Sequence, residues 1–244
     1  MAGGSRDDSG PGASKVSTLY LVRHGQAAFG SDDYDRLTPL GEEQCASLAR
    51  HWRSIGRTPA LVYAGAMRRH RESADAFVAA LAAEGVATPA VETVAGLEEY
   101  DHVALLDGFA RLNAGMPDFA ACWRDRRVLH HTLQQALAAW TGEGVEGYGA
   151  FAAFRDRCAA ALDGIMVGIG RGRDAVLFAS AGSLGAAMQP LLGIGDWPAM
   201  RLTLDFYNTG VSRILFTGAS ASVESLNGIA HLEQPGMLHL ITKR

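Results

Sequence analysis

Residues Ala175-Val176-Leu177-Phe178-Ala179-Ser180 form an apolar run with no polar alternation. A strand of this kind is buried on both faces, so helices must cover it above and below. The rest of the chain meets that demand. Lys15–Val22, Ala60–Ala64 and Val91–Val94 are short β-forming runs. Between the first two, Thr38-Pro39-Leu40-Gly41 opens a helix with a capping hydroxyl and an early proline. Leu40, Cys45, Leu48, Ala49 and Trp52 then recur at helical spacing until Gly56 stops it. Met67–Ala83, Phe151–Val167 and Leu184–Leu192 read as further helices. Val211–Phe216 and Val223–Ile229 read as late strands, joined by a hairpin around Thr217–Ala221. Strands alternating with helices predict an α/β chain, a three-layer α/β/α sandwich around a mainly parallel sheet. Residues of about 100–147 interrupt the alternation. They carry one helical pattern, over Cys122–Ala139, and are expected to form a cap insertion. Residues 1–14 are rich in Gly, Ser and Asp and read as a disordered tail, leaving 15–244 as one domain.

A length of 244 residues is enough for a sizeable core. The net charge of −4 gives no global attraction to nucleic acid or to an anionic membrane, so any anion affinity is local. The three cysteines, Cys45, Cys122 and Cys158, are odd in number and far apart, without a Cys-x-x-Cys. They point to a reducing compartment and to small core residues rather than a disulfide framework or zinc site. The apolar stretch near 175–194 is broken by Ser180, Gly182, Ser183, Gly185 and Gln189, so no membrane span is expected. A cytoplasmic location follows.

Three polar features follow three of the expected strands. Arg23-His24-Gly25 follows the first, Arg68-Arg69-His70-Arg71 the second, and Glu98-Glu99 the third. Taken singly these are a surface Arg-His step, a solvated basic helix start and ordinary surface acids. On parallel strands they converge on one rim, where α/β sheets bind ligands. Arginines there would hold phosphoryl oxygens through planar forks of donors. An imidazole would attack phosphorus, and a carboxylic acid would protonate the leaving oxygen.

Leu21-Val22-Arg23-His24-Gly25-Gln26-Ala27, followed by Asp33-Tyr34-Asp35-Arg36-Leu37-Thr38-Pro39-Leu40-Gly41, resembles the signature of the histidine phosphatase superfamily, the phosphoglycerate-mutase-like phosphatases. Residues 63–74 resemble that family's Ser-Ser-x-Leu-x-Arg-Ala-x-x-Thr-Ala segment, with Arg69 as its arginine. Leu97-Glu98-Glu99-Tyr100-Asp101 resembles Leu-x-Glu-x-Asp, with Glu99 as its acid. The resemblance spans about residues 15–230. It implies that His24 becomes phosphorylated, that Arg23 and Arg69 bind phosphate, and that Glu99 donates the proton. It implies no metal and no cofactor, because the arginines supply the charge. Gln26, Gly182 and Ser183 are further candidate phosphate contacts.

Two departures weaken the expected anion set. The family's second histidine, in a Thr/Ser-His-Gly-Gly context after the fourth strand, aligns with Ala181. An asparagine that often follows the Arg-His-Gly step is absent near Gly30. His70 or His102 entering from another direction, the backbone N–H groups at 182–184, and the Ser180 or Ser183 hydroxyl are the available compensations. The expected function is hydrolysis of a small phosphorylated metabolite through phosphohistidine. A non-catalytic phospho-ligand binder and a phosphosugar mutase are the alternatives on the same fold.

Overall fold

The computed structural model describes residues 15–28, 35–113 and 125–243. The expected tail, the position near Gly30, and Phe119, Cys122 and Trp123 of the insert lie outside them. Strands β1 (Ser17–Arg23), β2 (Leu61–Gly65), β3 (Val91–Val94) and β4 (Asp174–Ala179) run parallel. β5 (Val211–Phe216) and β6 (Ala221–Gly228) complete one edge as an antiparallel hairpin. The order across the sheet is β3-β2-β4-β1-β5-β6. The buried run at 175–180 is therefore β4, flanked by β2 on one side and β1 on the other.

Side chains alternate across β1 and divide the core into two layers. Leu19 and Leu21 pack on one face with Cys158, Leu162 and Leu184. These come from α5 (Phe151–Ile169) and α6 (Ala181–Leu192). Tyr20 and Val22 pack on the other face with Leu48, Trp52, Phe77 and Leu81. These come from α1 (Pro39–Ser54) and α2 (Arg68–Ala83). The result is the expected α/β/α sandwich. Cys45 and Cys158 are free, buried thiols in the core, and burial pushes both thiol pKa values up to about 12. No helix among the described residues is long and apolar enough to cross a membrane.

Register sets the site. Arg23 pairs with Ala179 across β1 and β4, and the His24 N–H donates to Ala179 O at 2.9 Å. The Arg-His-Gly step therefore emerges beside Ser180. Gly25 and Gly41 then let two backbones touch. A Cβ on Gly25 would overlap Gly41 O, and one on Gly41 would overlap the Gln26 carbonyl. Thr38 caps α1 by accepting from Gly41 N at 3.1 Å. This close approach is a physical reason for Arg-His-Gly and Thr-Pro-Leu-Gly to occur together.

Three elements differ from the sequence reading. α6 begins at Ala181 rather than Leu184, because Leu184 N reaches Ser180 O at 3.0 Å and closes the first turn over the glycine. The insert holds two described helices, α3 (His102–Leu112) and α4 (Arg126–Thr141), where one was expected over Cys122–Ala139. Asp101 caps α3 by accepting from Val103 N and Ala104 N, each at 3.0 Å. α7 (Asp196–Thr203), with Pro198 inside its first turn, was not expected at all. α3 packs against α4, and α4 against α7.

Candidate active site

The ends of β1, β2 and β4 and the loop after β3 surround a cavity of about 550 Å³ whose lining includes Arg23, His24, Arg69, Glu99, Ser180 and Ala181. The structure thus brings together the four residues assigned catalytic roles from the sequence. Arg68-Arg69-His70-Arg71 is divided between two environments. Arg69 and His70 are buried, while Arg68 and Arg71 are exposed. Arg68 Nε donates to Glu72 Oε1 at 2.6 Å on the surface, so the solvated-face reading holds for half of the cluster. The two acids divide in the same way. Glu98 pairs with Arg157 at 2.7 Å outside the cavity, whereas Glu99 lines it.

His24 is 3% exposed. Its Nδ1 lies 2.7 Å from Gly25 O. A carbonyl only accepts, so Nδ1 carries the proton and Nε2 is left with its lone pair for the cavity. Burial holds the imidazole pKa well below its usual value, and Arg69, Arg23 and His70 add to that effect. The Gly25 bond opposes it. The ring is therefore held neutral. Its backbone is anchored by Asn208 Nδ2, which donates to His24 O at 3.2 Å, and by Ser73 Oγ, which accepts from Gly25 N at 3.0 Å.

The guanidinium groups are aimed by separate contacts. Arg23 Nη1 donates to Phe206 O at 2.5 Å. Arg69 Nη1 donates to Asp35 Oδ1 at 2.8 Å, and its Nη2 to Ser180 Oγ at 3.0 Å. Asp35 also accepts from Arg68 N at 2.9 Å, supplying the cap that Met67 does not give α2. Glu99 does the equivalent at α6, accepting from Gly182 N at 2.8 Å, and also accepts from Tyr100 N at 3.1 Å. Burial raises its pKa. Arg69, the two backbone N–H groups and Arg23 work against that rise, and burial wins. Gly182 is required for this approach, since a Cβ there would overlap Glu99 Oε1.

Three candidate phosphate contacts are engaged elsewhere. Gln26 Oε1 accepts from Thr38 Oγ1 at 3.1 Å. The Gly182 N–H is taken by Glu99. Ser183 is fully buried, and its hydroxyl donates to Ser180 O at 3.0 Å. Neither Gln26 nor Ser183 is among the residues that line the cavity; the Gln26 side-chain oxygen and the Ser183 hydroxyl take part in local bonds.

Sequence reasoning missed Gln44, Asn208 and the segment around 240–243. Gln44 is fully buried. Its Oε1 accepts from Gln26 N at 2.8 Å, and its Nε2 donates to Leu240 O at 2.6 Å and Thr242 Oγ1 at 2.9 Å. Thr242 and Lys243 line the cavity. An amide on a helix face carries no signature of such a bridge. Among the described residues, no group of three or more His, Cys, Asp or Glu side chains is arranged to hold a metal ion.

Residues 19–228 match the family profile described as Histidine phosphatase superfamily (branch 1). No curated protein matches the chain by sequence. Among solved structures, a phosphoserine phosphatase mutant from Entamoeba histolytica in complex with phosphoserine superposes with a TM-score of 0.62 at 16% identity, covering 88% of this chain and 99% of that one. A phosphoglycerate mutase from Bacillus anthracis str. Sterne gives 0.61 at 18%, covering 89% and 96%. A mycobacterial glucosyl-3-phosphoglycerate phosphatase gives 0.60 at 18%, covering 88% and 100%. At these identities the structures speak for the fold, and the profile match over most of the chain identifies it as a member of the histidine phosphatase superfamily, branch 1.

Proposed function

We propose that the chain is a metal-independent phosphomonoesterase that works through a phosphohistidine at His24. The observation that carries this reading is the tautomer of His24: Nδ1 is tied to Gly25 O, and Nε2 is left facing the cavity that Arg23 and Arg69 line. In the first step Nε2 attacks phosphorus and the P–O ester bond breaks. The leaving alkoxide takes the proton of neutral Glu99 and departs as the alcohol. In the second step the Glu99 carboxylate takes a proton from water as that water attacks the phosphohistidine. Inorganic phosphate leaves, and His24 and the Glu99 acid are restored. Arg23 and Arg69 hold the equatorial oxygens and offset their charge throughout. The substrate is a small phosphorylated metabolite, and the insert supplies one wall of its pocket through His102, Leu129 and Leu133.

The test is a screen of phosphorylated metabolites and p-nitrophenyl phosphate for phosphate release, run beside His24→Ala. Turnover that survives exhaustive chelation, is lost in His24→Ala, and is accompanied by an acid-labile phosphoenzyme on rapid quench supports the proposal. A phosphoenzyme that persists in His24→Ala, or activity restored only by a divalent ion, overturns it.

A further inference from the structure

His70 has no part in that scheme, yet the fold is arranged around it. It lies fully buried in the first turn of α2, where the helix's positive end disfavours another cation. Gly65 makes room for it, because a Cβ there would overlap His70 Nδ1. The ring stands tilted beside His24, with centroids 5.8 Å apart. Its Nδ1 has no hydrogen-bond partner among the described residues, and its Nε2 lies 2.7 Å from Ser180 Oγ. A buried N–H without an acceptor is rarer than a buried acceptor without a donor, so the proton sits on Nε2 and is given to Ser180.

Arg69 Nη2 donates to the same oxygen at 3.0 Å. Both lone pairs of the hydroxyl are then occupied, and its one proton is left to donate. Ser180 stands at the N-cap of α6 but makes no capping bond with its side chain. It is 2% exposed and still lines the cavity beside His24. Three nearby donors are committed elsewhere: Gly182 N to Glu99, and Ser183 Oγ and Leu184 N to Ser180 O. The segment that residues 64–74 resemble has serine where this chain has Gly65 and alanine where it has His70. Ala181 stands where the resemblance places a histidine. The departures form one geometric change: position 181 carries only a methyl group at the cavity, and an imidazole occupies the space behind Ser180.

We propose that Ser180 donates its hydroxyl proton to the phosphoryl oxygens held at His24, with His70 and Arg69 as the positioning residues that fix its direction. This rests on the phosphate-binding reading above and names the donor that stands in for position 181.

The primary measurement is binding of inorganic phosphate and orthovanadate by calorimetry, which needs no turnover. Ser180→Ala is expected to weaken both at least about tenfold, and to lower kcat on p-nitrophenyl phosphate about 10²-fold if the protein is a hydrolase. Ser180→Thr keeps the hydroxyl and recovers both. His70→Leu has a smaller loss that disappears when measured in the Ser180→Ala background, because the two side chains act as one unit. In the unmodified protein, ¹⁵N spectra assign the proton of His70 to Nε2. The proposal is overturned if Ser180→Ala binds phosphate as the native chain does, if the His70→Leu loss persists without Ser180, or if the proton lies on Nδ1. A native protein that binds phosphate through Ser180 but hydrolyses nothing sinks the esterase reading and leaves this one standing. A native protein that binds neither anion sinks both.

Discussion

Two helices begin at the cavity, α2 and α6, and neither is capped by the side chain at its own N-cap. Each borrows a carboxylate from a distant segment. At α2 the carboxylate is Asp35, which accepts from Arg68 N and is locked to the Arg69 guanidinium. At α6 it is Glu99, which accepts from Gly182 N in a setting where burial outweighs its positive neighbours. The backbone chemistry is the same, but the surroundings are not. Asp35 is tied to a guanidinium as an anchor, whereas burial raises the pKa of Glu99 and so favours its protonated form. The fold uses the first to aim an arginine and supplies the second as the acid of the proposed reaction.

The largest effect should come from making the α6 acid as inert as an anchor. Glu99→Gln retains an oxygen for Gly182 N and removes the proton. It should lower kcat on alkyl phosphates by about 10²–10⁴-fold and on p-nitrophenyl phosphate far less, because the better leaving group needs no acid. Equal losses on both substrates would break the comparison. The pH profile sharpens it. His24 must be neutral, and its pKa lies below 6.5, so the acid limb falls below that value. Glu99 must be protonated, and its pKa lies above 4.5, so activity falls as pH rises through that raised value. The optimum therefore lies between the two limbs. Glu99→Gln should remove the alkaline limb from the residual activity on alkyl phosphates.

At the other helix, Asp35→Ala should raise KM for a phosphate ester about tenfold by releasing Arg69, with kcat less affected. It should also cost about 1 kcal/mol of stability through the lost cap. Asp35→Asn, which keeps the acceptor but not the charge, should fall between the two. A stability loss with no change in KM would reduce Asp35 to a cap alone.

A further effect is shared by three residues. His24, His70 and His231 are all buried and held neutral, His231 with its pKa lowered to about 3. Their folded pKa values lie below the unfolded value, so the unfolded chain binds protons first as pH falls. Stability should decline below pH 6.5 by up to about 1.4 kcal/mol per pH unit for each histidine. Thermal melts between pH 7 and 5 check this, and a flat profile would contradict it.

The two helix starts also show how much the sequence discloses. The polar clusters at 23–25, 68–71 and 98–99 are readable because each follows a strand whose direction the alternation predicts, whereas Arg69 and Glu99 are singled out from their neighbours by the family resemblance. The role of Asp35 is not readable, since it meets Arg69 across 34 residues of sequence and its place in the signature does not name that partner. Gly182 and Ser183 read as an anion-binding start to a helix, and that chemistry is present. Sequence could not tell that the protein's own Glu99 reaches Gly182 N. α3 and α7 were missed because short helices in mixed segments take their stability from packing rather than from pattern.

The bridge made by Gln44 has a consequence in time. Its amide joins the backbone beyond His24 to Thr242, which lies 198 residues after Gln44. At synthesis rates of about 5–20 residues per second, the loop bearing the nucleophile leaves the ribosome roughly 10–40 s before its partner is made. During that interval the sheet can assemble as β4 and β5 emerge to flank β1, while the loop after His24 still lacks one of its buried ties. The site is thus among the last parts of the molecule to set. Interrupting synthesis before residue 240 should yield a chain with its signature motif intact and its phosphate pocket unfinished.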